Sequence, residues 1–349
     1  VLEIVNQIQH SGIKLIKVKE VQKVLQPRPP YTTDDLLIDA TYMLKLPATK
    51  VMRLAQDLFE LGYITYHRTD STHVSSVGIE VAKEFLTKKG MIQLFRPRHW
   101  GEKGTHECIR PTRPLDLTEL YNQLMERSYV QITDKHLKLY DLIFRRFIAS
   151  QMPEATVEFH IFTANIARYK KDLEIPVKIL SSGFLDILNT LAVIENLKEI
   201  NEIILQPLNI KILRGSSTKL FTSADIIRIM KEKRIGRPST YAKAIDNNVR
   251  HGYIIFSKKR LYLIPTKLGI NVCDLLTKYF PNLVSERLTR EVERLLDIVR
   301  EGLLSRDEAL ILLLSDVIDL RLRENNLINP TTDSGDISSV TASEVSEEV

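Results

Sequence analysis

Apolar residues recur at helical spacing over Val51, Leu54, Ala55, Leu58 and Phe59, which places one oily stripe on a helix and predicts its end at Gly62. Upstream, Leu37, Ala40 and Leu44 form the stripe of an earlier helix. Thr33 is its candidate N-cap, with Asp34 and Asp35 favourable in the first turn, and Thr49 is the candidate cap of the second helix. Beyond Gly62 a short strand is expected, with Ile64, Tyr66 and Arg68 on one side and Thr65 and His67 on the other. The stretch thus reads helix, turn, helix, strand, an order found in many DNA-binding modules and in others that bind no nucleic acid.

The flanking chain extends this pattern. Residues 1–25 read as a helical start followed by one or two strands over Lys14 to Val24. Gln26-Pro27-Arg28-Pro29-Pro30 then breaks regular structure and marks a hinge. Asp134 to Met152 has helical periodicity, Thr156 to Ile161 alternates with Val157, Phe159 and Ile161 on one face, and Ile175 to Leu188 holds further strand-like runs. Leu288 to Asp319 predicts a charged amphipathic helical pair joined near Gly302, and the Ser-, Thr- and acid-rich stretch after Pro330 is expected to be disordered.

One segment repeats. Tyr31-Thr32-Thr33-Asp34-Asp35-Leu36-Leu37 matches Phe221-Thr222-Ser223-Ala224-Asp225-Ile226-Ile227 in kind, and Gly62-Tyr63-Ile64 returns as Gly252-Tyr253-Ile254, both at an offset of 190 residues. The same offset carries Thr49 onto Ser239. Two copies of one module follow from that agreement.

Composition narrows the partners. The 349 residues are 44% apolar, enough for real cores, and 49 Lys and Arg stand against 44 Asp and Glu for a net charge of +5. Five acidic residues and no basic one lie in residues 330–349, so the remainder carries +10 and leans towards a polyanion. Cys108 and Cys273, the only cysteines, lack metal-ligand spacing, so reduced thiols and no zinc site are expected. No apolar run approaches the roughly 18 residues that cross a bilayer, and no signal pattern opens the chain. A cytoplasmic protein without membrane association is expected, and a start at Val1 rather than Met suggests a fragment or an unusual start.

Three stretches could carry chemistry. Tyr66 and Arg68 on one strand face set a phenol beside a guanidinium, which suits attack on a phosphodiester: the guanidinium grips phosphate oxygens and the phenolate forms an ester. Standing alone, the pair fits ordinary strand residues better, Tyr being a good strand former. In Arg234-Ile235-Gly236-Arg237-Pro238-Ser239-Thr240, Gly236 permits close backbone approach, and Ser239 and Thr240 open a helix whose positive end, with Arg237 alongside, suits a phosphate. In Gly104-Thr105-His106-Glu107-Cys108-Ile109-Arg110, His106 and Arg110 share a face if the segment is helical and could contact one phosphate. No Gly-x-x-x-x-Gly-Lys-Ser/Thr loop and no Asp-x-Asp pair occurs, so neither a nucleotide triphosphate nor clustered-carboxylate Mg²⁺ has a motif here.

Taken together, Gly62 to Ser71, Gly104 to Thr112 and Ile235 to Ala242, in this order, resemble the signature of type IA DNA topoisomerases from about Pro30 to Gly302. His67 after the tyrosine, the continuation Ser71 to Ile79 and Cys108 resemble more particularly the topoisomerase half of reverse gyrases. That resemblance implies an α+β fold, mainly α: a toroidal core with two winged-helix-like modules joined by a β-rich arch. On this chain it implies residues 1–26 as the end of the arch segment, 27–152 as the tyrosine-bearing domain, 153–215 as the arch, 216–329 as the second DNA-binding domain and 330–349 as an acidic tail. It makes Tyr66 the nucleophile joined to a 5′ phosphate, Arg68 the grip on the scissile phosphate and His106 its neighbour, with Arg110, Arg237, Ser239 and Thr240 on the DNA.

The sequence departs from the family in lacking the acidic Mg²⁺-binding Toprim domain and the helicase-like module. Mg²⁺ and ATP are therefore expected to act in other parts, on a separate N-terminal subunit or a longer parent chain, with this chain alone binding single-stranded DNA and cleaving it poorly. A hyperthermophilic archaeal source accords with the reverse gyrase resemblance. The rival readings are a plain topoisomerase I fragment, a tyrosine recombinase, against which stand the early tyrosine and the His106 to Arg110 spacing, and a winged-helix DNA-binding protein in which Tyr66 merely packs.

Overall fold

A computed structural model describes residues 2–126, 132–166, 169–212, 220–257 and 261–314. The expected acidic tail, and residues 315–319 of the expected helical pair, lie outside the described residues. The chain divides into two compact units, 1–267 and 268–349.

The first unit opens with helix α1 (Leu2–Ser11) and the single long strand β1 (Ile13–Leu25). After the prolines come α2 (Thr33–Leu44), α3 (Ala48–Glu60), α4 (Ser76–Lys88), α5 (Leu117–Glu126) and α6 (Asp134–Ser150). Strands β2 (Ala155–Ile166), β3 (Tyr169–Ser181) and β4 (Glu202–Leu205) follow, then α7 (Ser223–Glu232), α8 (Tyr241–Arg250) and the short hairpin β5 (Ile254–Phe256) and β6 (Leu263–Pro265). The stripe read from the sequence is the core itself: Val51, Leu54, Ala55 and Leu58 of α3 are fully buried, as are Leu37 and Ala40 of α2.

The caps fall one and two positions before expectation. Thr32, not Thr33, caps α2 and accepts the Asp35 N–H, while Pro47 precedes α3 and leaves Thr49 inside its first turn. Two adjacent threonines offer equal capping chemistry, and Thr33 is instead drawn to a distant partner described below.

The sheet has the order β3-β2-β1-β4, with antiparallel pairing throughout. Strand β2 serves two cores. Ala155, Val157 and Phe159 enter the main core, and further along the opposite side, Phe162 and Ala164, packs with Leu15 into a second one. Ile161, expected beside Val157 and Phe159, stays half-exposed because the main core ends before it.

The repeat is visible bond by bond. Thr222 caps α7 as Thr32 caps α2. Gly62 and Gly252 both have φ +73°, and the residue after each donates back to a carbonyl five positions earlier, Tyr63 to Leu58 and Tyr253 to Asn248. Ile109 N–H donates to Tyr31 O at 2.8 Å where Leu263 donates to Phe221 O at 2.7 Å. The Thr112 hydroxyl donates to Gly62 O at 2.6 Å where that of Thr266 donates to Gly252 O at 2.7 Å. These last bonds close segments of 50 and 14 residues respectively, so the first module is the second with its hairpin greatly lengthened. The copies pack α2 on α7 and α3 on α8, and Lys231 of α7 bridges Asp34 and Asp35 of α2, the latter at 3.1 Å.

In the second unit, α9 (Lys267–Tyr279) leads to α10 (Glu286–Arg300), whose cap Ser285 accepts the Leu288 N–H. A turn at Gly302 then opens a helix over residues 306–314, the expected pair as far as it is described. No helix among the described residues is long and apolar enough to cross a membrane.

A side chain built on Gly62 or Gly252 meets nothing within 4 Å, so only the left-handed backbone resists it. Gly62→Ala and Gly252→Ala are each expected to cost about 1–2 kcal/mol, read as matching downward shifts of the urea midpoint.

Candidate active site

The lengthened hairpin begins as an extended chain that never becomes a strand. Ile64 bridges Pro111 once, and then the Thr65 N–H donates to Arg110 O at 2.9 Å while the Thr65 hydroxyl donates to Cys108 O at 2.7 Å. The hydroxyl also accepts the Arg110 N–H at 3.0 Å. The expected placing of Ile64 with Tyr66 and Arg68 does not hold, since Ile64 is 1% exposed and packs inward. With no ladder crossing Thr65, alternation restarts after it: Tyr66 is half-exposed, His67 buried, Arg68 exposed, Thr69 buried and Asp70 exposed. Tyr66 and Arg68 therefore do share the outward side.

The Tyr66 ring stands edge-on to Phe59 at 5.3 Å and lies 4.9 Å from the His106 ring, centre to centre. Among the described residues its hydroxyl makes no hydrogen bond, and Arg68 makes no ion pair. Backbone on both sides of Arg68 is held from α2: the Thr33 hydroxyl donates towards His67 O at 2.7 Å and Thr69 O at 3.0 Å and accepts the Thr69 N–H at 2.8 Å.

His106 and Arg110 do not share a helix face. The segment bends at Thr105 and His106 and then runs extended, because its N–H groups pair with other loops, Cys108 with His73 O and Ile109 with Tyr31 O. His106 is exposed, whereas Arg110 is 4% exposed. Its guanidinium grips both oxygens of Glu107 at 2.8 Å and donates to Pro111 O at 2.9 Å. Gly78 of α4 has no side chain where one would strike Arg110 Nε at 2.6 Å. Burial works to raise the Glu107 carboxyl, but its bonds from Arg110 and Ser75 prevail and hold it below its ordinary value. Arg110 thus braces the floor of the site from within.

His67 is 1% exposed and neither ring nitrogen has a partner among the described residues. Burial pushes its imidazole down to about 4, and the positive charge of Arg68 adds to the effect. Burial likewise raises the Cys108 thiol, leaving it inert.

Arg237, Ser239 and Thr240 stand in the second module, in the turn before α8. Gly236 has φ +85°, and the Thr240 hydroxyl accepts the Arg237 N–H at 2.7 Å instead of capping the helix. Ser239, the expected counterpart of a cap, is exposed in that turn. The structure thus gathers Tyr66, Arg68 and His106 in one lengthened hairpin and sets Arg237, Ser239 and Thr240 in the turn before α8 of the second module. Among the described residues, the one group of three suited to holding an ion, Glu20, Glu158 and His160, belongs to the sheet. Sequence reasoning missed the bonds of Thr33 to backbone 34 and 36 residues away, and the brace that Glu107 forms with Arg110 and Ser75.

Two repeated modules, one of them presenting a phenol outward with an imidazole against it, accord with what sequence comparison finds: the family model for DNA topoisomerase matches residues 1–310, and the chain belongs to the type IA DNA topoisomerases. Full-length topoisomerase I from Thermotoga maritima superposes with a TM-score of 0.70 at 26% identity, over 92% of this chain and 54% of that one. More particularly, the chain is similar to reverse gyrases. It is 41% identical to reverse gyrase 2 of Sulfolobus acidocaldarius, over 90% of this chain and 27% of the relative. It is 42% identical to reverse gyrase of Pyrococcus furiosus, over 88% and 26%. The chain therefore spans about a quarter of the length of these relatives.

The unfolded His67 ring takes a proton near 6.5 and the folded one near 4. Stability is full above pH 6.5 and declines as the pH falls towards 4, by about 3 kcal/mol. Urea titrations at stepped pH are expected to show that slope and its flattening in His67→Leu.

Proposed function

We propose that this chain is the strand-breaking module of a reverse-gyrase-like enzyme, in which Tyr66 cuts single-stranded DNA and holds the broken end. The observation that carries the reading is the Tyr66 ring set 4.9 Å from His106, with its hydroxyl unbonded among the described residues and Arg68 on the same outward side. The phenol gives up its proton as its oxygen bonds to phosphorus. The bond from phosphorus to the 3′ oxygen breaks, and that oxygen leaves as a hydroxyl after taking a proton. Arg68 faces the charge that gathers on the phosphoryl oxygens, and His106 lies beside the phenol where a proton moves. An aryl phosphate ester replaces an alkyl one, so the reverse attack rejoins the strand without nucleotide.

The two modules are read as winged-helix-like domains that clasp the strand, with Arg237, Ser239 and Thr240 on its backbone, and the four-stranded sheet as the arch that opens. Arg110 enters this scheme through Glu107 and Ser75 and not by touching DNA. Mg²⁺ prefers carboxylate and water oxygens, and two imidazoles, a guanidinium and a phenol do not suit it. Mg²⁺ and ATP are accordingly assigned to Toprim and helicase-like parts, on the same polypeptide or a partner subunit, which turn strand passage into positive supercoiling.

A single-stranded suicide oligonucleotide offered to the full-length enzyme is expected to give a covalent adduct that is absent in Tyr66→Phe and about 10²–10³ slower to form in Arg68→Ala. An undiminished adduct in Tyr66→Phe would leave only a DNA-binding scaffold. Affinity for the strand is expected to fall steeply with salt, and Arg237→Ala to weaken it alike across sequences while reducing the salt slope by about 1, as read by fluorescence anisotropy.

A further inference from the structure

We propose that Thr33 is a positioning residue for Arg68, fixing the backbone from which the guanidinium reaches phosphate; the proposal rests on the reading of Arg68 given above. Arg68 is exposed and forms no ion pair among the described residues, so its own side chain has nothing to hold it in place. What fixes it is the main chain. The Thr33 hydroxyl, 1% exposed, shares its proton between the carbonyls of His67 and Thr69 and accepts the Thr69 N–H, while the Thr33 N–H donates to Thr69 O at 2.8 Å. Both peptide neighbours of Arg68 are thereby fastened to the first turn of α2. That turn is itself anchored, because Lys231 bridges the next two residues, Asp34 and Asp35.

The second module supplies an internal control. Ser223 stands 190 residues after Thr33, equally buried at 1% exposure, and its hydroxyl has no hydrogen-bond partner among the described residues. The helix cap is provided in both copies by the preceding threonine, Thr32 or Thr222. A hydroxyl at this position is therefore not needed to build the module. In the first copy it is engaged only by the segment that bears Arg68.

Single-stranded DNA affinity of the chain, measured by fluorescence anisotropy with a mixed-sequence oligonucleotide, separates positioning from mere structure. Arg68→Ala is expected to weaken binding about tenfold, Thr33→Val to cause most of that loss, and Thr33→Ser to restore it. The double variant is expected to bind no more weakly than Arg68→Ala, since Thr33 acts through Arg68. If Thr33→Val does not fold, Thr33→Cys, similar in size with a much weaker donor, takes its place. Wild-type affinity in the Thr33 variant, or a double variant losing the product of the single losses, overturns the proposal while leaving the Arg68 reading intact. No loss in Arg68→Ala removes that reading and the proposal with it.

Discussion

Two lengths of backbone, one leaving α3 after Gly62 and one returning through Cys108 to Thr112, are tied together across the lengthened hairpin. The ties are few: the Thr112 hydroxyl on Gly62 O, the Thr112 N–H on Tyr63 O, and the bonds that Thr65 makes with Cys108 and Arg110. Closing a segment of 50 residues costs only slightly more chain entropy than closing one of 14, because that cost grows with the logarithm of length. What fixes the site is the geometry at the mouth of the hairpin. Thr65 fastens the stretch that carries Tyr66 to the one that follows His106, so the two rings meet as a consequence of one hydroxyl and its neighbouring peptide groups.

Charge is sorted by burial around that mouth. The two arginines of the hairpin have opposite fates. Arg110 is enclosed and matched to Glu107, where a bidentate pair offsets the loss of water. Arg68 stays in solvent with its charge uncommitted, and the same charge helps to keep the buried His67 neutral. A neutral ring beneath the tyrosine adds no positive charge to the protein side of the site, so the cation facing outward is the guanidinium.

Much of this was legible in the sequence, and the boundary is physical. Helical stripes such as Val51 to Phe59 depend on periodicity within one element and emerged correctly. The repeat was legible because its Gly-Tyr-Ile endings require a left-handed glycine at the same place in each copy. The strand through Tyr66 was misjudged at Ile64, since its pairing ends after a single bridge and side-chain hydroxyls take over. The helical pairing of His106 and Arg110 failed because the segment's N–H groups pair with other loops, and Glu107 then holds the guanidinium inward. Thr33 looked like a cap because capping is local, whereas its hydroxyl bonds to backbone 34 and 36 residues away. Contacts of that span leave no periodic trace.

The twinned hairpins bear on how such a machine comes to exist. In one copy the two fastened ends lie 14 residues apart, and in the other 50, an excursion carrying Tyr66, Arg68 and a helix of its own, yet the fastening at the base is the same. A fold with that property works like a socket. Reactive equipment can be exchanged between the same two terminals while the helices behind them, already paid for in packing, go unaltered.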